Sequence, residues 1–363
     1  MRYLRAVGVA MLSHAGPGGS SHVARHLAAA LERRGYSVSM VSPGPRSATL
    51  DTSWDEWRLA HLERHLEGLV RDHGIDVIHY HYAWPFAGVL DRLKRRMRSA
   101  APLIVGTLHG TDVTHPPDGS TIDALRSTDE LTTVSDAYAD LARQRLGLTL
   151  RPTVIANFVD PADFPLSLDF TDPMSGRARP RLVHVSTFRP VKAPLGVVEM
   201  FAAVRERRDA ELWLIGDGPE LPAVLAALDR SGLRRDVRVL GYRTDVGRLL
   251  ARCDVLVMSS LEESFCLAAL EAMAGGLAVV GPDVGGFTEL TGQGRMGMLY
   301  ERGDFVAAAR LVETLLRDHE LRLGLRRAAT EHARTFSVSA AVEAYVAVYS
   351  RALATTGLHR AVS

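Results

Sequence analysis

Residues 254–276 read DVLVMSSLEESFCLAALEAMAGG. Asp254–Met258 is a short apolar, β-branched run, the pattern of a strand buried on both faces. A helical pattern begins around Ser264, and a new apolar run, Ala278–Val280, follows it. Strand, helix, strand in that order predicts a parallel pair joined by a crossover helix.

The same alternation extends in both directions. Upstream lie strand candidates Leu182–Thr187, Ala210–Ile215 and Val237–Leu240; earlier still come Tyr3–Ala10, Ser37–Ser42, Asp76–Tyr80, Pro102–Thr107, Glu130–Val134 and Pro152–Ala156. Amphipathic stretches such as Ser21–Arg34, Arg58–Asp72 and Ser135–Leu146 separate the earlier ones. The pattern breaks at Asn157–Arg181, which holds four prolines and reads as an interdomain connection. The expectation is an α/β protein of two doubly wound, Rossmann-like domains, with residues 1–160 and 161–340 as the domains. Residues 341–363 form a C-terminal helix, centred on the amphipathic Ser337–Leu353, that packs back on the first domain. Ligands of such sheets bind beyond the strand C-termini.

Composition agrees with two soluble domains. The chain has 363 residues, 47% of them hydrophobic and 23% charged, with a formal net charge of +1. A balance so near neutrality gives no reason to expect nucleic acid as partner. The first twelve residues are apolar but lack a cleavage pattern and read as a buried strand, and no run approaches the length of a membrane span. Cys253 and Cys266 are the only cysteines, too few for a disulfide framework, which points to a reducing, cytoplasmic setting. Lys94 and Lys192 are the only lysines in a chain that otherwise uses arginine, so each is informative.

Chemistry concentrates at the strand ends. His14–Ser21 (HAGPGGSS) puts small residues before a helix, where backbone amides can approach a ligand. It is not a GxGxxG. Ser186–Lys192 (STFRPVK) sends Arg189 and Lys192 from a strand C-terminus, a fork and a point charge suited to a diphosphate. Gly216–Glu220 (GDGPE) follows the next strand, with Pro219 placed to open a helix. Glu263 is expected at the helix mouth, facing sugar or phosphate oxygens, and Glu271 about two turns deeper, accepting from ribose hydroxyls. Gly281–Phe287 offers a second Gly-rich loop that closes on the diphosphate. His79-Tyr80-His81-Tyr82 and His109-Gly110-Thr111-Asp112 end strands of the first domain. No cysteine neighbours these histidines and no HExxH exists, so they read as pocket lining and packing rather than a metal site. His109 would bond a sugar hydroxyl and Asp112 would orient an acceptor.

Taken in order, the Gly-rich N-terminal loop, HGTD, SxFRxVK, GDGPE and ESFxLxxLEAMAxG resemble the family-4 retaining glycosyltransferases, over nearly the whole chain. Within that family the phrases DVIHYHYA (76–83), HGTDVT (109–114), ANFVD (156–160) and FRPVK (188–192) are most similar to bacillithiol-pathway enzymes that join N-acetylglucosamine to L-malate. The resemblance implies a GT-B architecture, two Rossmann-like domains facing across a cleft. It implies a nucleotide-sugar donor, UDP-linked, with no metal, and a small-molecule acceptor. His109, Arg189, Lys192 and Glu263 would then carry catalysis. Gly19, Gly216, Tyr242, Arg243, Ser264, Phe265, Cys266, Leu267 and Glu271 would bind the donor; Gly18, Ser20, Tyr82, Thr111 and Asp112 would face the acceptor. Retention is attributed in this family to front-face attack, with the leaving phosphate taking the acceptor proton. Cys266 stands where the family usually has glycine, and Ala278 where it usually has proline. An aminocyclitol or thiol acceptor, a nicotinamide-dependent oxidoreductase and a non-catalytic nucleotide-sugar-binding subunit are the competing expectations. Stable membrane insertion is not expected, and a homo-oligomer is left open.

Overall fold

The computed structural model describes residues 8–12, 18–42, 56–82, 86–114, 119–160, 164 and 179–355. Residues 14–17 of the Gly-rich loop, Ala83, most of the 157–181 connection and the tail beyond 355 lie outside the described residues, as does the start of the first strand candidate. The chain divides into two compact units, one of residues 1–157 with 338–363, the other of 158–337.

The first unit is a parallel sheet of β1 (Gly8–Leu12), β2 (Ser37–Val41), β3 (Ile75–His81), β4 (Leu103–Leu108), β5 (Glu130–Thr133) and β6 (Thr153–Val154), in the order β2-β1-β3-β4-β5-β6. Its helices are α1 (Gly19–Arg33), α2 (Glu56–Asp72), α3 (Phe86–Met97), α4 (Thr111–Thr114), α5 (Gly119–Arg126) and α6 (Asp136–Arg145). Central strands are covered on both faces, so β1 and β4 are buried throughout. Tyr80 pairs in register with Gly106, and a Cβ on that glycine would sit 2.2 Å from the Tyr80 ring. Only glycine leaves room for the ring there. Ser135 caps α6 by accepting from Tyr138 N.

The second unit repeats the scheme with β7 (Arg181–Val185), β8 (Glu211–Ile215), β9 (Val237–Gly241), β10 (Val255–Val257), β11 (Ala278–Pro282) and β12 (Met298–Tyr300). Its helices are α7 (Pro194–Arg205), α8 (Leu221–Arg230), α9 (Val246–Leu250), α10 (Leu267–Ala274), α11 (Gly285–Leu290), α12 (Phe305–Arg317) and α13 (His319–Ala333). The order is β12-β11-β10-β7-β8-β9. Chain direction across the sheet reverses between β7 and β10, and that reversal is where doubly wound sheets bind ligands. Asp304 and Asp318 cap α12 and α13 by accepting from Ala307 N and Leu321 N. The last helix, α14 (Val338–Thr355), lies in the first unit against α1 and β4, with Tyr345 and Tyr349 each 1% exposed.

Three details differ from the sequence reading. Helix α10 starts at Leu267, not around Ser264, so Glu263 precedes it in a loop and Glu271 lies only one turn in. Helix α8 starts at Leu221 and uses Pro222 in its first turn, not Pro219. The short β12 carries too few residues for its periodicity to stand out. Among the described residues no helix is long and apolar enough to cross a membrane.

Candidate functional site

In the second unit, the loops leaving β7 and β10 meet at the reversal point. The Lys192 ammonium donates to Glu263 Oε1 at 2.8 Å. Ser260 donates to the same oxygen at 2.6 Å, and Ser259 Oγ donates to the Lys192 carbonyl at 2.8 Å. A backbone bond from Leu261 N to Val191 O, also 2.8 Å, clamps the two loops together. The Glu263 side chain is 3% exposed and that of Lys192 25%. Sequence reading gave these residues separate jobs; the fold makes them one ion pair. Burial disfavours the lysine charge, but the Glu263 carboxylate outweighs it and holds the ammonium above its ordinary pKa. Arg189, exposed on the same turn, opposes that charge.

The turn between β7 and Lys192 is braced from beneath. Fully buried His184 donates from Nδ1 to Val257 O at 2.9 Å, which ties β7 to β10. A carbonyl only accepts, so Nε2 is bare and takes the Ser186 hydroxyl proton at 2.8 Å. Ser186 Oγ in turn accepts from Phe188 N. Burial pushes His184 down to about 4, so it stays neutral near pH 7. Phe188, Ala193 and Cys266 have φ of 40°, 42° and 72°, left-handed values that cost non-glycine residues about 1–3 kcal/mol each. Strain of that kind collects where a site over-determines its backbone.

The other assigned positions lie around the same strand ends. Gly216 has φ 120°, and a Cβ on it would stand 1.8 Å from Ser186 O, so the GDG loop presses directly on the β7 turn. Gly216 N also bonds Gly241 O at 2.7 Å, and Tyr242, 56% exposed, follows. Arg243 is held by Asp245 in a two-pronged exposed pair at 2.8 Å. Ser264 and Leu267 are half-buried, and Phe265 is buried edge-on against Phe336. Cys266 caps α10 and is buried; burial first, then the Glu263 charge, push its thiol well above the usual range. That thiol is an inert filler at neutral pH, not a nucleophile. Glu271 is half-buried on α10. A Cβ on Gly286 would meet Ser264 O at 2.1 Å, so α11 seats against the Glu263 loop, and Gly286 N donates to Glu263 O at 2.7 Å.

In the first unit the assigned residues gather beyond β3 and β4. His79 and His81 alternate along β3 with Tyr80, and all three are fully buried. His79 bonds Tyr349 Oη and Thr107 Oγ1, both at 2.7 Å, and Thr107 continues to Thr132 at 2.7 Å. His81 Nδ1 lies 2.9 Å from His109 Nε2. Burial lowers His79 to about 3 and His109 to about 4. Among the described residues no three His, Cys, Asp or Glu side chains converge as a metal site. Asp112, 1% exposed, accepts from His109 N and Gly110 N at 3.1 and 2.8 Å, so its carboxylate shapes the turn that carries His109. Thr111 donates to Tyr82 Oη at 3.0 Å, and Tyr82 sits at φ 82°. Gly18 and Gly19 open α1 with no side-chain cap; Ser20 is half-buried in its first turn.

Sequence reasoning missed His184, Ser259 and Ser260. His184 and Ser259 act through partners 73 and 67 positions away, and Ser260, though it bonds Glu263 only three residues on, shares that carboxylate with the distant Lys192.

Two family models match the chain: Glycosyltransferase Family 4 over residues 17–163 and Glycosyl transferases group 1 over residues 179–318. Among curated proteins it is 29% identical over 339 residues to the N-acetyl-alpha-D-glucosaminyl L-malate synthase of Bacillus anthracis, covering 86% of this chain and 88% of that one. It is 32% identical over 248 residues to a D-inositol 3-phosphate glycosyltransferase of Salinispora arenicola, covering 65% of this chain and 49% of that one. The chain thus spans about half the length of the inositol phosphate enzyme. Among solved structures, sucrose-phosphate synthase from Thermosynechococcus elongatus superposes with a TM-score of 0.81 at 18% identity, over 96% of this chain and 100% of that one. Anabaena HepE in complex with UDP-glucose gives 0.76 at 19% identity, over 95% and 99%. These likenesses identify the fold as GT-B.

Proposed function

The chain belongs to the family-4 glycosyltransferases, and from that premise we propose that it moves N-acetylglucosamine from UDP-N-acetylglucosamine to L-malate or a similar small hydroxy acid, with retention. Membership in a glycosyltransferase family removes the oxidoreductase alternative. One observation carries the site assignment: the Lys192–Glu263 pair, at 2.8 Å, stands at the reversal point of the second sheet, where such sheets take ligands. In this reading residues 1–160 take the acceptor and 161–340 the donor. Arg189 and Lys192 face the diphosphate, Glu263 and the amides of Cys266 and Leu267 face the sugar, and Glu271 holds the ribose. His109 contacts the transferred sugar.

As the bond from C1 to the phosphate oxygen breaks, negative charge grows on the diphosphate. The acceptor oxygen forms the new bond to C1 on the same face, and its proton passes to the departing phosphate. No side-chain nucleophile or metal is required. Fixed positive charge at the leaving group supplies the rate enhancement, because it is in place before the reaction begins. The reading places the enzyme in the cytoplasm.

The test incubates the protein with UDP-N-acetylglucosamine and L-malate and follows product by mass spectrometry, with anomeric configuration from proton NMR. An α-linked N-acetylglucosaminyl malate is expected. Product only with an aminocyclitol or thiol acceptor would transfer the assignment to that class. Cys266 bears on the donor instead: its side chain fills space at the donor-sugar contact where the resembled family has none, so the assay is repeated with other UDP-, GDP- and dTDP-sugars. Absence of transfer from every nucleotide sugar would overturn the proposal.

A further inference from the structure

We propose that His81 is a positioning residue that sets which nitrogen of His109 carries the proton, so that His109 meets its ligand as an Nδ1–H donor. The inference rests on the reading above that His109 contacts the transferred sugar.

His81 is fully buried in β3, between the His79 ring at 4.3 Å and the His109 ring at 5.2 Å. Its Nδ1 lies 2.9 Å from His109 Nε2, whereas its Nε2 is buried with no hydrogen-bond partner among the described residues. Desolvation lowers the pKa of both rings, His109 to about 4 and His81 well below its usual value. Two neutral imidazoles share one proton in the bond between them, and only two arrangements exist. If His109 Nε2–H donates, His81 must carry its own proton on Nε2, as an N–H buried without an acceptor. If His81 Nδ1–H donates, the orphan is only a lone pair. Buried N–H groups without an acceptor are the rarer case, so the second arrangement holds.

Its consequence falls on His109. With Nε2 occupied as acceptor, the ring's proton resides on Nδ1. The ring is half-buried at the end of β4, and its backbone N–H is anchored to Asp112. It is thereby fixed in place as well as in protonation. A donor suits an oxygen of a sugar hydroxyl or phosphate, and the other tautomer would offer such an oxygen a lone pair. His79 is not part of the device, since both its nitrogens are committed to Tyr349 and Thr107.

The test combines nitrogen-15 NMR of the imidazole rings with transfer kinetics. His109 signals are assigned by their loss in His109→Gln. In the unaltered protein, His109 is expected to show a protonated Nδ1 and a bare Nε2. His81→Asn places an amide N–H where Nδ1 stood and should keep that pattern, with kcat/KM for transfer within about threefold. His81→Phe removes the donor; both tautomers should then exchange, and kcat/KM should fall about tenfold, the scale of one neutral hydrogen bond. Melting curves of both variants report on folding. A wild-type proton on Nε2, or an unchanged His109 pattern in His81→Phe, overturns the proposal. If the unaltered protein transfers no sugar, the functional reading fails while the NMR result still decides the tautomer.

Discussion

Lys192→Met is the sharpest perturbation the structure offers. Methionine keeps most of the side-chain length and removes the charge. Glu263, whose side chain is 3% exposed, is then left as a buried carboxylate with its cation gone. Removing one partner of a buried pair costs about 3–5 kcal/mol. At roughly 2–4 °C per kcal/mol for a unit of this size, the melting temperature should fall by about 6–20 °C. Glu263→Gln is milder, because its amide oxygen still accepts from Ser260 and the surviving lysine is 25% exposed. The double variant Lys192→Met/Glu263→Gln leaves no orphaned charge, so it should recover about 1–3 kcal/mol relative to the sum of the singles. Activity should not follow: both lysine variants are expected to lose about 10²–10³ in kcat, the scale of one transition-state donor. Lys192 has a raised folded pKa, so its stabilising contribution is complete below the ordinary lysine value and is lost as pH rises through the folded one. Calorimetry of the four proteins decides the matter. Additive singles, or a lysine variant that melts within 2 °C of wild type (roughly 1 kcal/mol or less), would refute the reasoning.

Three further outcomes follow from single residues. Gly216→Ala forces a Cβ to 1.8 Å from Ser186 O at φ 120° and should lower the melting point markedly, whereas Gly18→Ala, with nothing within 4 Å of the new atom, should not. Tyr349→Phe removes the hydroxyl bonded to His79 and should cost about 1–3 kcal/mol in urea unfolding, because a buried imidazole nitrogen loses its partner. His184 and His109 fall to about 4 and His79 to about 3, so each is protonated more readily in the unfolded chain. Stability is therefore full above about pH 6.5 and declines as pH falls toward those values, by about 1.4 kcal/mol per pH unit for each ring. A flat unfolding free energy between pH 6.5 and 4.5, the interval set by the unperturbed histidine value of about 6.5 and the lowered ones, would contradict that sign.

Much of the candidate site was legible because its residues sit next to strand ends. Arg189, Lys192 and Glu263 each follow an apolar run, and a loop beyond a parallel strand is where chemistry collects. Glu271 was legible as a carboxylate amid apolar neighbours, but its depth was misjudged, because Ser264–Cys266 could have begun the helix as easily as preceded it. Cys266 at φ 72° ends that ambiguity: a left-handed residue cannot lie inside a right-handed helix. Asp112 read as an acceptor-binding group, yet the fold gives its carboxylate two backbone amides to satisfy.

Hydrophobic period is local, so the residues alone determined the alternation of strand and helix and, through it, two parallel sheets. Strand order is not local. Whether β7 lies beside β10 or β11 depends on which apolar faces bury each other once the chain has collapsed. That choice brings Lys192 to Glu263 across 71 positions, and the docking of α14 in the first unit brings Tyr349 to His79 across 270. The tertiary structure likewise decided protonation, since an imidazole's tautomer follows from what its other nitrogen touches, and those contacts come from different strands.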